Sequence, residues 1–457
     1  MQKWLRISLL VCTFGFLREL RPSEPFVVEY LTSDWRNVTN EQLNKEVYPL
    51  GTYAVLAQLV IVFLITDILH YKPIIVISAC AGIVLFSILL WTKSLLELQI
   101  GQLFYGTFMA SEVAYYTYIY AKVEKSRYHN VTGHTRAAIL CGKFFGALLA
   151  QMLVSTKTMN YRELHYISFS SQVLSLLFAL ALPAVNKSLY FYPEKHVQTD
   201  VSTSGTESVE DIHLNLDAEE TVAPTAAVPE FSWRNAIHLL LSHIINAYSN
   251  PIVLQWSIWW ALATCGQLQV ISYVQFLWKD IDPEHINFYN GAVEAAVTLL
   301  GAVSAFAAGL VKIKQNRWHW WILTVCSLLM GAFLVVSAFT NIIWVAYAMY
   351  ILFGIAYFFV ITVASAEVAD NLSNDSFGLI FGINTLVALS LQAALTLCVV
   401  TDNGFGLTSR AQYLVYGGYF ILLSAIVKKL IRLNNNNGNN WSTNITCSFN
   451  LFNLTLQ

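Results

Sequence analysis

The chain has 457 residues, of which 56% are hydrophobic and only 12% charged, about half the charged share of a water-soluble domain. A surface built from it must face lipid, and a formal net charge of −2 supplies no basic track for nucleic acid, which is excluded as a partner. Seven cysteines lie scattered, mostly in apolar runs and without a C-x-x-C pair, so neither a disulfide framework nor a zinc site is expected.

Read in chain order, the apolar run Leu9–Leu17 leads into Arg18-Glu19-Leu20-Arg21-Pro22 without a small-residue cleavage site. It reads as a retained first span and not a signal peptide. A bilayer core needs about 20 apolar residues per helix, and such runs recur near 8–30, 49–69, 73–93, 97–121, 134–155 and 163–185. A second set follows near 250–278, 288–311, 319–339, 342–369, 376–400 and 411–430. Between the sets the chain turns polar and rich in Thr, Ser and Glu, which marks a linker without its own core. The expected architecture is all-α and integral to the membrane, with twelve transmembrane helices in two six-helix bundles, the layout of a transporter whose site lies between them. The bundles are residues 1–185 and 249–432, joined by a cytoplasmic linker at 186–248 and followed by a disordered Asn-rich tail at 433–457.

Lys72, Lys122, Lys125, Arg127, Arg136, Lys187, Lys312, Lys314, Lys428 and Lys429 fall on the side of both termini, against Arg36, Lys45, Lys93, Lys157, Arg162, Lys279 and Arg410 on the other. By the positive-inside rule both termini are cytoplasmic. The sequon at Asn37 then lies outside, where it can be glycosylated. The tryptophans Trp256, Trp259, Trp260, Trp318, Trp320 and Trp321 read as packing or interface belts in preference to a ligand cage.

Charges at membrane depth are costly, so those that remain are paired or functional. They are Arg18, Glu19, Arg21, Glu24, Glu112, Lys143, Glu294 and Glu367, with acids outnumbering bases. Helical spacing puts Phe108, Glu112, Tyr115 and Tyr116 on one stripe. A carboxylate beside aromatic faces suits an organic cation; the bland alternative is that Glu112 only neutralises Lys143. Arg21-Pro22-Ser23-Glu24-Pro25 must break the first helix, as a gate, a site wall or an internal ion pair. Lys143 is expected to pair with Glu112 or Glu367. Glu294 sits among small residues that let a helix or a ligand approach. No cofactor and no metal is implied, and no constellation of catalytic groups points to an enzyme.

Several segments together resemble the folate and thiamine carriers, a branch of the major facilitator superfamily. They are Arg-Pro-Ser-Glu-Pro-Phe at 21–26, Thr-Asp-Ile-Leu-His-Tyr-Lys-Pro at 66–73, Glu-Val-Ala-Tyr-Tyr-Thr-Tyr-Ile-Tyr at 112–120, Tyr-Asn-Gly-Ala-Val-Glu-Ala at 289–295 and Phe-Gly-Ile-Asn-Thr at 381–385. In the second segment Asp67 resembles the acid that opens the bracing loop between spans two and three of that superfamily, a gating role. The resemblance implies a central site at Glu112 and Tyr115, lined by Glu24, Glu294 and Ser272 with Tyr116 nearby, and gating or pairing by Arg21, Lys143 and Glu367. At the position of Glu112 the reduced folate carrier has arginine, and its two further basic positions correspond to Gly354 and Gln392. The chain departs from the thiamine-type pattern at Ser272, where asparagine is usual, at Gly51, in place of a tryptophan, and at Lys143 and Glu367.

The leading expectation is a monomeric plasma-membrane carrier in the lipid bilayer, taking up a small molecule, thiamine, by alternating access, with buried carboxylates available for proton coupling. One alternative is a reduced folate or other organic anion held by Lys143. Another is a non-transporting membrane sensor.

Overall fold

The computed structural model describes residues 3–36, 38–66, 69, 71–122, 128–185, 233–283, 288–310, 318–372 and 377–436. Regular structure there is helical throughout. The first span is α1 (Lys3–Glu19), a 3-10 turn (Glu24–Phe26) and the short α2 (Val27–Leu31). A single turn, α3 (Asn40–Gln42), and a π-helical turn (Leu43–Val47) lead into α4 (Tyr48–Thr66). Then come α5 (Lys72–Trp91), α6 (Leu95–Ala110), α7 (Glu112–Lys122), α8 (Tyr128–Ser155) and α9 (Tyr161–Ala181). The second half holds α10 (Trp233–Tyr248), α11 (Pro251–Ile281), α12 (Asn290–Leu310), α13 (Trp318–Phe339), α14 (Ile343–Asp370), α15 (Phe377–Val399) and α16 (Ser409–Asn436).

Eight of these, α5, α8, α9 and α12 to α16, are long and apolar enough to cross a membrane. Large apolar side chains such as Phe306 and Phe339, each 70% exposed, cover their outer surfaces, as lipid contact requires. The other four expected spans are also helices, but α1 has only 17 residues and the fourth span is divided into 16 and 11. The segment 233–248, expected as linker, is the helix α10, because Ile237, Leu241, Ile244 and Tyr248 recur at helical spacing. It packs on α11 and α15. The rest of the expected linker, 186–232, and the tail from 437 onward lie outside the described residues.

Within the first half, α1 packs on α8 and α9, α4 on α6, and α5 on α6 and α9; within the second, α13 packs on α14 and α16, α12 on α14, and α11 on α14, α15 and α16. The halves meet where α8 crosses α12 and α4 crosses α15. Helix ends are closed by side-chain caps and by basic residues on terminal carbonyls. Ser94 and Glu97 form a capping box at α6, and Asn250-Pro251 opens α11 with an Asn cap and a proline in its first turn. Lys72 and Lys122 donate to the carbonyls of Leu180 (2.9 Å) and Ala184 (2.6 Å) at the end of α9. Arg36 and Arg410 do the same at the ends of α5 and α13. Trp256, Trp259 and Trp260 are buried packing residues, whereas Trp321 is 50% exposed.

Candidate functional site

The first helix stops at Glu19 because Pro22 and Pro25 cannot donate backbone hydrogen bonds. At membrane depth the freed groups need new partners, and α9 supplies them from one face. Ser171 Oγ donates to the carbonyl of Leu17 (2.6 Å), Gln172 Nε2 to that of Arg18 (3.0 Å), and Ser168 meets both the amide and the hydroxyl of Ser23. The other half completes the repair. Gln275 Nε2 on α11 donates to the carbonyl of Glu24 (3.0 Å), and Asn290 Nδ2 on α12 to that of Pro25 (3.2 Å). The α9 residues escaped the sequence reading, although Ser168, Ser171, Gln172 and Ser175 form a polar stripe at i, i+3, i+4, i+7 in an otherwise apolar span.

The break gathers charge. Glu19, 4% exposed, takes Arg18 Nη1 on Oε1 and Arg21 Nη2 on Oε2, each at 2.7 Å, with Lys143 Nζ 3.6 Å away. Arg21 also reaches Glu24 at 3.2 Å, and Arg18 lies 3.8 Å from Glu112. Six of the eight charges expected at membrane depth therefore form one cluster of three acids and three bases. Its partners correct the sequence reading: Lys143 pairs with Glu19, not with Glu112 or Glu367, and the base beside Glu112 is Arg18. Glu367 lies near the end of α14, where its carbonyl accepts from Asn371.

The aromatic stripe expected around Glu112 is likewise divided. The fourth span breaks at Ser111, and the carbonyl of Phe108, which a continuous helix would give to the amide of Glu112, accepts from Arg18 Nη2 at 2.8 Å. The Phe108 ring lies 4.4 Å under the Arg18 guanidinium. Tyr115 is 2% exposed, its hydroxyl donating to the carbonyl of Val11 at 2.9 Å and its ring against Phe14. It fastens α7 to α1. The side chain of Tyr116, together with Asn37 and Asp67, lies outside the described residues.

Within the cluster, Arg18, Glu19 and Arg21 are buried, while Glu24 (51%), Lys143 (48%) and Glu112 (33%) retain exposure. Lys143 lies on α8, the helix that meets α12 of the other half. Ala147 and Gln151, one and two turns further along α8, touch Gly291 and Ala292 of α12. One turn along α12 from that contact is Glu294, half-buried, whose Oε1 accepts from the Tyr350 hydroxyl at 3.1 Å. Tyr350 and Tyr347 are held edge-on against Trp278. Ser272, half-buried on α11, accepts from Gln392 Nε2 at 3.5 Å and donates to the carbonyl of Leu268. Among the described residues no group of three His, Cys, Asp or Glu could hold a metal ion.

A seam between two helical halves, lined by partly exposed carboxylates and reached through broken helices, defines a solute carrier of the major facilitator fold. Two solved transporters share that fold: the POT family transporter PepTSo, at a TM-score of 0.66 and 13% identity over 95% of this chain and 99% of that one, and the nucleoside transporter NupG, at 0.57 and 13% over 93% and 98%. Residues 2–415 match the reduced folate carrier family, to which this chain belongs; it is a transport protein and not an enzyme. It is 38% identical to thiamine transporter 1 of Mus musculus, over 93% of this chain and 89% of that protein.

Proposed function

We propose that this chain takes up thiamine across the plasma membrane by alternating access, its halves (1–185 and 249–432) rocking about the seam, with the linker at 186–248 and both termini cytoplasmic and Asn37 glycosylated outside. The observation that carries the reading is the charge lining the seam. Glu24, Glu112 and Glu294 are partly exposed acids, whereas the partly exposed base, Lys143, already lies against Glu19. An organic cation gains from such a wall, and the gain grows where water is scarce. Glu112 holds the thiazolium charge, Glu24 and Glu294 line the path, and Ser272 with Gln392 offers polar contacts. Glu112 stands where the reduced folate carrier has arginine, which favours a cation over a folate dianion. The relatives' names, thiamine transporter for several of them, agree with this substrate.

The test is uptake of labelled thiamine into cells expressing the chain, with unlabelled thiamine and unlabelled folate as separate competitors. Thiamine alone should block it, and Glu112→Gln should reduce it at least about tenfold at unchanged surface abundance, the effect of losing one charge contact in a dry site. Uptake that survives Glu112→Gln and fails with Lys143→Ala would instead establish the organic-anion reading, for which the 48% exposure of Lys143 is the supporting observation.

A further inference from the structure

The end of α5 gathers a second set of cations, away from the broken first span. Arg36, 4% exposed, gives Nη2 to the carbonyls of Ile88 (2.6 Å) and Leu89 (3.2 Å). Arg162, half-buried in the first turn of α9, gives Nη2 to the carbonyl of Leu90 (3.1 Å). The negative end of a helix accounts for these two guanidinium groups. It does not account for Lys93, which donates to no carbonyl among the described residues. The Lys93 ammonium lies 4.0 Å from the centre of the Trp35 ring, and the Arg162 guanidinium 3.5 Å from the same ring. One indole thus gathers two like charges, which their mutual repulsion opposes. Among the described residues none of the three cations pairs with a carboxylate. Glu97 and Glu163 are used on the amides of Ser94 (3.0 Å) and Asn160 (2.7 Å), and Asp34 is exposed. Nε and Nη1 of Arg36, Nε of Arg162 and Nε1 of Trp35 are buried and have no hydrogen-bond partner among the described residues.

We propose that Lys93, Arg162 and Trp35, with the buried Arg36 adding its charge, form a binding site for the phosphate of an acidic phospholipid. Guanidinium groups match phosphate oxygens in geometry, and an ammonium adds a mobile point charge. The surroundings favour a lipid over a free anion. Lys93 and Arg162 stand at the ends of α5 and α9, two helices long and apolar enough to cross a membrane. Trp91, exposed at the end of α5, packs edge-on against Phe169 of α9 at 5.3 Å, and Tyr166, one turn along α9 from Arg162, is also exposed. Basic side chains above an exposed aromatic wall suit an amphiphile whose head meets the cations and whose tails follow the wall. A choline head would bring a further cation to the cluster, whereas an acidic head does not.

The experiment is native mass spectrometry of the detergent-purified full chain, titrated with phosphatidylglycerol, with phosphatidylcholine of the same acyl chains, and with inorganic phosphate. The wild-type protein should prefer phosphatidylglycerol to phosphatidylcholine by on the order of tenfold. Lys93→Gln should lower that preference by about fivefold, the share of one basic side chain at a membrane surface, and Lys93→Arg should keep it. Lys157→Gln, which removes an exposed base from the nearby connection between α8 and α9, should leave it unchanged. Lys93 is exposed, so the lipid-free variants should unfold at the wild-type temperature. No preference in the wild type, or a preference that Lys93→Gln leaves intact, would overturn the site. Equal losses with Lys93→Gln and Lys157→Gln would reduce it to general surface charge and overturn it too. Inorganic phosphate that binds at millimolar concentration and displaces phosphatidylglycerol would overturn the lipid assignment in favour of a free anion.

Discussion

Glu19 shows how a charge survives at membrane depth. It accepts from Arg18, one residue before it, and from Arg21, two residues after it, positions that a continuous helix would splay apart. Only the end of α1 at Glu19 folds both guanidinium groups onto one carboxylate, so the residues were legible as buried charges while their pairing was not. Removing the shared acceptor leaves two buried guanidinium groups short of a partner. Glu19→Gln is expected to cost roughly 3–5 kcal/mol, read as a drop in the unfolding temperature of detergent-solubilised protein and in surface abundance. The same reasoning explains Tyr115. Its type and spacing suit a cation site, but its hydroxyl is used by the carbonyl of Val11, a demand that arises only where α7 and α1 touch.

At the scale of elements, the contact between α1 and α8 depends on the absence of side chains. A Cβ at Gly142 would lie 2.4 Å from the carbonyl oxygen of Phe16 and 3.2 Å from the Cβ of Glu19, so Gly142→Ala must push α1 away and disturb the charge cluster. Gly133, nine residues earlier on the same helix, has nothing within 4 Å of its would-be Cβ. There alanine should be neutral or stabilising by up to about 1 kcal/mol, as helix propensity alone dictates. Thermal unfolding of the two variants tests the contrast; equal Tm values would mean that the close approach does not matter. The proline pair of the first span announces a break in the sequence, and the α9 stripe of Ser168, Ser171 and Gln172 supplies its repair. Polarity in an apolar span was visible, but its recipient lay some 150 residues away.

Over the whole molecule, the halves are latched along the face that carries the α2–α4 and α11–α12 connections. Lys279 of α11 reaches Glu29 (3.4 Å) and Thr32 of the first half, and Lys45 of the first half reaches Asp402 of the second (2.7 Å) as well as Glu41. The bonds of Gln275 and Asn290 to the broken first span lie on the same face. Hydrogen bonds to Asp402 and then Glu41 hold the Lys45 ammonium above its ordinary pKa, so this pair keeps its charge below that point and loses it only as pH rises through the elevated value. The alternating access proposed above would require the latch to open. Glu29→Lys or Lys279→Glu alone should favour opening on this face and raise the labelling of cysteines placed in the seam, whereas the swapped double variant should restore protection. Labelling that is identical in all four proteins would remove the latch from the transport cycle.

Composition and hydropathy by themselves determined that the chain is a helical membrane protein, because a backbone in lipid must satisfy its hydrogen bonds within each segment. Local motifs were enough to mark the broken first span, the charges at depth and the carrier family. Tertiary structure alone decided which charges meet, that Phe108 serves Arg18 and Tyr115 serves Val11, and that Lys143 lies against Glu19. These pairings join residues on different helices, and their geometry is set by where helices break and cross, which no local pattern along the chain encodes.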